Sequence, residues 1–477
     1  MPTAERIARR CACGIAVALL GAAPVLGAAA DRLPATVLSA LERAGVPPDA
    51  MVATVHEIDR PRALLAWQAE RSVNPASLAK LLTTYAALDR LGPAWQWRTP
   101  VWLDGPVQGG VLEGNLVVKG SGDPKLVLER LWLMLRRVRQ LGVREIHGDI
   151  VLDRSAFEVP EQSAAEFDGE PQRAYNVGAD ALMLNFKAIV FTFTPDPAHG
   201  VARVASEPPL EGLRAATSVP MLAGGGCGDW RAALRADFTD ASQVHFAGSY
   251  PAGCGEKTWS AAYAQPRRYN ERALQGMWRE MGGRLTGTVR DGVAPPGAPT
   301  FEFASPPLAE VVRDINKFSN NVMAQQLFLT LGLVQRGRGT AGAAREALAR
   351  WAVERLGPTH AAAIVVDNGS GLSRSGRLTA SALARLLQVA WAGPAMPEFV
   401  SSLPVSGSDG TLKRAGAGAA SAHLKTGSLR DVNGMAGFVH ADSGKRYAVV
   451  AIVNHPNAQA ARPALDALVQ WVHAGAP

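Results

Sequence analysis

Ser77 and Lys80 stand three residues apart in Asn74-Pro-Ala-Ser-Leu-Ala-Lys80, at the head of a stretch with helical periodicity. On a helix that spacing puts both side chains on one face, within reach of each other. A serine hydroxyl is a weak nucleophile until a neighbouring base takes its proton. Lysine can be that base when burial and other cations pull its pKa down. The start of a helix adds backbone N–H groups that favour negative charge on Oγ and on an attacked carbonyl oxygen. The pair therefore points to acyl transfer. Ser-x-x-Lys alone is common, and taken singly it reads better as a solvated helix face with Ser near its N-cap. Here it occurs once, and Leu78, Leu81, Leu82, Tyr85 and Leu88 make its surroundings apolar.

Two further triplets give that pair partners. Ser319-Asn320-Asn321 opens a helical stretch, and Lys425-Thr426-Gly427 occurs once, just before a strand-like segment. A second Ser-x-Asn at Ser72-Val73-Asn74 shows how little that triplet means singly. The order Ser-x-x-Lys, Ser-x-Asn, Lys-Thr-Gly is the signature of penicillin-binding proteins and serine β-lactamases. Four more segments strengthen the match: Lys119-Gly-Ser-Gly-Asp-Pro124, Asp367-Asn-Gly-Ser-Gly-Leu-Ser373, Pro404-Val-Ser-Gly-Ser-Asp-Gly-Thr411, and the run from Lys425 to Gly437. Together they resemble the D-alanyl-D-alanine carboxypeptidase/endopeptidase family, the class C low-molecular-mass penicillin-binding proteins, over about residues 33–473.

The resemblance implies an α+β fold, a penicillin-binding-protein/β-lactamase-like transpeptidase domain with an antiparallel sheet flanked by helices, interrupted by inserted mostly-β domains. The expected division is a catalytic domain at 31–90 and 305–477, a β-rich insertion at 91–118 and 186–304, and a second, smaller inserted domain at 119–185. It also implies roles. Ser77 attacks the carbonyl of a D-Ala-D-Xaa bond, Lys80 activates it, and Ser319 relays a proton to the leaving amine. Asn321 holds the substrate amide or Lys80, and Lys425 supplies positive charge. Thr426 and Gly427 meet the substrate, and the N–H groups of Ser77 and Ser428 form the oxyanion hole. Asp168, in Glu166-Phe-Asp-Gly-Glu170, falls where the family has an acid that binds the amine of a stem peptide. The plain alternative is an ordinary loop aspartate.

The implied partners are peptidoglycan stem peptides and β-lactam inhibitors, with no metal and no organic cofactor; peripheral wall or membrane association is left open. A β-lactamase of the common kind would carry a Glu-x-x-Leu-Asn segment, and Asp180-Ala-Leu-Met-Leu-Asn185 has its acid one residue too far. A non-catalytic wall-binding or scaffolding protein would have no need of the complete set of five polar residues.

The elements that must hold these residues follow from pattern. Helical periodicity covers 34–44, 77–91, 125–141, 307–318, 320–333, 342–356, 379–392 and 461–473. Strand-like runs cover 51–57, 63–68, 101–103, 111–119, 145–153, 189–194, 201–206, 434–440 and 446–453, and Pro/Gly-rich 291–299 reads as a linker. The ends of the chain share one style and the β-rich middle looks inserted. Trp95 and Trp97 read as core, and Arg136, Arg137 and Arg139 as a solvated helix face.

The chain's 477 residues, 47% apolar and 19% charged, exclude a disordered protein. A net charge of +7 without a dense Lys/Arg tract does not indicate nucleic acid. Arg6, Arg9 and Arg10, the apolar run from Cys11 to Leu20 and the small residues up to Ala30 read as a cleavable export signal over 1–30, which places the protein in the periplasm. That leaves Cys227 and Cys254, in an oxidising compartment most simply a disulfide. Metal binding is the weaker reading, for no His stands at ligand spacing, and His56-Glu57 lacks the second His of a zinc-peptidase helix.

Overall fold

The computed structural model describes residues 31–60, 62–160, 163–224, 226–414 and 421–475. The expected export signal lies outside these residues. Among them no helix is long and apolar enough to cross a membrane.

A five-stranded antiparallel sheet organises the catalytic part, with neighbours in the order Ala63–Trp67, Met51–Glu57, Arg446–Asn454, Val432–His440 and Ala422–Leu429. The two ends of the chain meet at its centre, where Met51 pairs with Val453 and Glu57 with Tyr447. The run Tyr447–Val453 is apolar throughout because both faces are covered. Val449, Ala451 and Val453 pack with the helices Ala35–Arg43 and Arg462–His473. Ala448, Val450 and Ile452 face the other way, toward the helices Ala79–Leu91, Leu308–Phe318, Asn321–Arg336, Ala341–Leu356 and Ala380–Ala392. The nine consecutive residues Lys80–Leu88 are all buried, so Ala79–Leu91 is a central helix enclosed on every side.

The chain leaves this body after Leu91 and returns through the strand Phe301–Ala304, which pairs with Arg98–Asp104 where it left. Strand pairing divides the insertion differently from the expected 119–185 unit. Strands at 98–104, 115–119, 150–153, 289–291 and 301–304 share one sheet, so residues on both sides of 119 belong to one module. The inner module is instead 188–262, built on the strands Ala188–Asp196, Val201–Glu207 and Lys257–Ala262, and it carries the Cys227–Cys254 disulfide. A helix the periodicity missed, Tyr269–Glu280, packs Tyr269, Leu274, Met277 and Trp278 into the core shared by these modules.

The insertion is fastened to the catalytic helices by buried polar contacts. Gln326 Nε2 donates to the carbonyls of Gly122 (3.2 Å) and Asp180 (2.8 Å), and its Oε1 accepts from Asp180 N (2.9 Å). An added Cβ at Gly120 would lie 2.3 Å from the Ala181 carbonyl oxygen, so only glycine lets these backbones approach. The 119–124 motif is thus a junction between the insertion and the catalytic helices. Trp97 is core as expected, with Nε1 donating to Thr330 Oγ1 at 3.0 Å.

Candidate active site

Ser77 sits in a single 3-10 turn, Ala76–Leu78, from which the α-helix Ala79–Leu91 continues, so the expected helix over 77–91 begins one turn tighter. The turn is held from outside. Asn74 Oδ1 accepts from Ala76 N (2.8 Å), and its Nδ2 donates to the Ser373 carbonyl (2.9 Å). Asn454 of the central strand binds the Asn74 backbone through both ends of its amide, at 2.8 and 3.0 Å. Ala76 takes φ 48°, a left-handed conformation uncommon for a non-glycine residue. The triplet ending at Asn74 therefore matters for position, although nothing in its residue types singled it out.

Lys80 is fully buried, and its Nζ has three partners: Ser77 Oγ at 2.9 Å, Asn321 Oδ1 at 2.7 Å and the Ser370 carbonyl at 2.5 Å. Asn321 Nδ2 donates to the Tyr175 carbonyl at 3.3 Å, which fixes the orientation of the amide and presents its oxygen to Lys80. Burial first, and then the charge of Lys425, hold the Lys80 pKa well below the ordinary lysine range. A neutral amine has two N–H bonds and one lone pair. Asn321 Oδ1 and the Ser370 carbonyl can only accept, so they take both N–H bonds. The lone pair is then left for Ser77 Oγ, the one partner able to donate.

Ser370 lies on the 367–373 loop, and the structure shows why that loop is glycine-rich. Gly371 has φ 77°, and an added Cβ would stand 1.9 Å from the Ala76 carbonyl oxygen. Asn368 Oδ1 accepts from Ser370 N and Oγ, at 3.1 and 2.9 Å, and shapes the turn.

Ser319 caps the helix Leu308–Phe318 in a left-handed conformation (φ 56°), and Asn320 caps the next helix by accepting from Met323 N at 3.0 Å. Two residues thus turn the chain between helices and aim Ser319 at Lys425, whose Nζ donates to Ser319 Oγ at 2.9 Å. Lys425 is fully buried, and burial lowers its pKa to about 7.

Lys-Thr-Gly lies inside an edge strand, Ala422–Leu429, and not before a strand as the pattern suggests. Leu424 N donates to the Pro404 carbonyl, away from the sheet, and pairing with Val432–His440 runs on without a shift. Backbone direction alternates along a strand, so the N–H groups of Thr426 and Ser428 also face the open edge. At Gly427 the strand crosses the nucleophile turn, where an added Cβ would meet the Pro75 carbonyl oxygen at 2.8 Å. Thr426 Oγ1 donates to Thr411 Oγ1 at 2.8 Å. The 404–411 loop that supplies Thr411 is held by Lys317, whose Nζ reaches Asp409 Oδ2 and the Leu403 carbonyl, both at 2.6 Å.

Asp168 is exposed on the inserted module and accepts from Tyr175 OH (2.8 Å), Asn176 Nδ2 (2.7 Å) and Glu170 N (3.0 Å). Partial burial pushes its pKa up, but these hydrogen bonds outweigh it and the net shift is downward. It stands one residue, Tyr175, away from Asn321. Among the described residues no group of three or more His, Cys, Asp or Glu could hold a metal.

Two linked pairs, Ser77 with Lys80 and Ser319 with Lys425, therefore flank an open strand edge, as nucleophilic attack on a peptide-like carbonyl requires. The profile of the D-Ala-D-Ala carboxypeptidase 3 (S13) family matches residues 35–474. The chain belongs to this family. It is 24% identical over 398 residues to D-alanyl-D-alanine carboxypeptidase DacB of Haemophilus influenzae, covering 80% of each chain. To the D-alanyl-D-alanine carboxypeptidase of Actinomadura sp. (strain R39) it is 27% identical over 398 residues, covering 78% of this chain and 71% of the other. Its fold is similar to penicillin binding protein 4 of Haemophilus influenzae, with TM-score 0.71 and 21% identity over 91% of this chain and 99% of that one. A structure of that Haemophilus protein complexed with a β-lactam matches with TM-score 0.67, at 21% identity over the same shares of the two chains. The expected α+β penicillin-binding-protein fold is the one observed, and within this S13 member the five polar residues come from both ends of the chain.

Proposed function

We propose that this chain is a serine-type D-Ala-D-Ala carboxypeptidase, with endopeptidase action on cross-links by the same chemistry, working on peptidoglycan stem peptides through a Ser77 acyl-enzyme. The observation that carries it is the geometry at Lys80, where two acceptors occupy the N–H bonds and leave the lone pair to Ser77. Lys80 takes the Ser77 proton as Oγ attacks the carbonyl carbon before the scissile bond. Negative charge develops on the carbonyl oxygen, between the N–H groups of Ser77 and Ser428, each donor contributing roughly 3–4 kcal/mol. The C–N bond then breaks, and the leaving amine takes a proton through Ser319, resupplied from Lys80 or Lys425. Water hydrolyses the ester, with Lys80 again as base.

Lys425 and Thr426 would receive the terminal carboxylate, and the open edge at Thr426 and Ser428 lets the substrate lie along the sheet as a further strand. Asp168 would meet the stem-peptide amine. Among the described residues no carboxylate hydrogen-bonds to Ser77 or Lys80, which supports slow release of an acylated β-lactam and inhibition by penicillin. The sequence-based export signal supports action in the periplasm.

Mass spectrometry of sacculi and of monomeric pentapeptide after incubation tests this reading. Loss of one alanine and loss of cross-linked dimers report the two activities separately. Ser77→Ala should abolish both, together with covalent labelling by a fluorescent penicillin. Labelling that persists removes Ser77 from its role.

A further inference from the structure

The sheet and the helix Ala380–Ala392 do not close on each other everywhere. That helix buries Leu383, Leu386, Leu387 and Ala390 in the core. Another stripe, Ser381, Arg385 and Gln388, has the four-then-three spacing of one helix face and borders a cleft of about 810 Å³. Across the cleft stand Thr54 and His56, alternate residues of one strand, opposite Ala66 and Ala63 of the edge strand. Ala63, Ala66 and Ala69 are too small to fill the space, so the gap is written into the sequence. Its volume lies within the range of roughly 300–1,000 Å³ typical of ligand sites.

The lining is polar and mainly basic. Arg71 and Arg385 are exposed, and their guanidinium groups make no hydrogen bond or ion pair with any described residue. His56 and His360 complete the basic set, and Glu70 is the one carboxylate on the lining. His56 Nδ1 is buried without a hydrogen-bond partner. Burial first, and then His360, lower the His56 pKa; an anion in the cleft would oppose that shift by favouring the charged ring. None of the lining residues belongs to the Ser77 centre.

We propose that this cleft binds a small anionic ligand bearing carboxylate or phosphate groups, held by Arg71 and Arg385 at the rim and by His56 within, at a site separate from the Ser77 centre. Two guanidinium groups on different elements, each free to present a planar fork, suit such an oxyanion.

Calorimetric titration of the full chain tests this, after penicillin acylation has filled the Ser77 site. Inorganic phosphate and citrate are the two probes, with glycerol as the neutral control. Either anion should bind, and the stronger of the two identifies the ligand's acid group as phosphate or carboxylate. Arg71→Gln and Arg385→Gln should each weaken binding about tenfold, while penicillin labelling of Ser77 remains as the check on folding. His56→Phe should weaken it as well. If Arg71→Gln fails to label, exposed Arg385→Gln alone decides. Absence of heat with both anions, or binding unchanged in the arginine variants, overturns the proposal.

Discussion

Asn321→Asp is the most searching perturbation of the Lys80 geometry, because it introduces a charge at nearly constant shape, at the cost of the hydrogen bond to the Tyr175 carbonyl. The amide oxygen lies 2.7 Å from Lys80 Nζ. A full negative charge at that distance, at an effective dielectric constant of about 20, stabilises the ammonium by roughly 6 kcal/mol. The competing form of the variant keeps its new carboxyl protonated, with the hydroxyl donating to the Tyr175 carbonyl as the native amide does, and it cuts that figure by about half. The base should therefore be disabled by roughly 3–6 kcal/mol, a hundredfold to ten-thousandfold loss of acylation at neutral pH.

Asn321→Ala is the control, since it removes one hydrogen bond, worth about 1 kcal/mol, and leaves the amine neutral. Stopped-flow acylation by a fluorescent penicillin across the neutral and alkaline range measures both. Relative to the native protein at the same pH, the aspartate variant should regain rate as pH rises, and the alanine variant should keep the native profile. If the aspartate variant acylates within tenfold of the native protein at neutral pH, Lys80 does not act as a neutral base and the reasoning fails.

Three other outcomes are expected. The kcat/KM of a substrate with a free carboxylate should be bell-shaped in pH. It rises as Lys80 passes its lowered pKa and becomes neutral, and it falls through about pH 7 as Lys425 loses its charge; a steady rise above that point counts against the role of Lys425, and amidating the carboxylate should abolish the falling limb. Gly371→Ala forces a Cβ to 1.9 Å from the Ala76 carbonyl oxygen at a φ of 77°; strain of at least about 1–3 kcal/mol should lower Tm and slow penicillin labelling, and unchanged values would show that the loop does not buttress the nucleophile turn. Asp168→Asn should reduce turnover of amine-bearing stem peptides relative to amine-blocked ones, by a few-fold because the carboxylate is exposed; an unchanged ratio leaves Asp168 only as the acceptor that holds Tyr175 and Asn176.

Much of this site was legible beforehand because catalysis by a serine demands particular side chains at fixed spacing. Ser77 and Lys80 lie on one turn, so their contact is local and three positions of sequence specify it. The sheet was partly legible too. Its central strands are buried on both faces, which produces the unbroken apolar run near 446–453. The edge strand Ala422–Leu429 was harder to see, because Lys425, Thr426 and Ser428 interrupt any alternation where the strand faces the site. Partition of the insertion was misjudged because strands from 98 to 304 pair across long sequence gaps, and periodicity carries no record of a partner.

The order of the three motifs, the residue types within them and the interrupted architecture follow from the amino-acid sequence alone, since local spacing and composition encode them. What only the folded chain decided is which atoms meet Lys80. Ser370 offers a backbone carbonyl, as does Tyr175 behind Asn321, and every residue but proline carries the same donor and acceptor there. Their selection depends on Gly371 packing against Ala76 and on the inserted module docking through Gln326. These long-range contacts turn an ordinary lysine into a base with its lone pair toward the nucleophile.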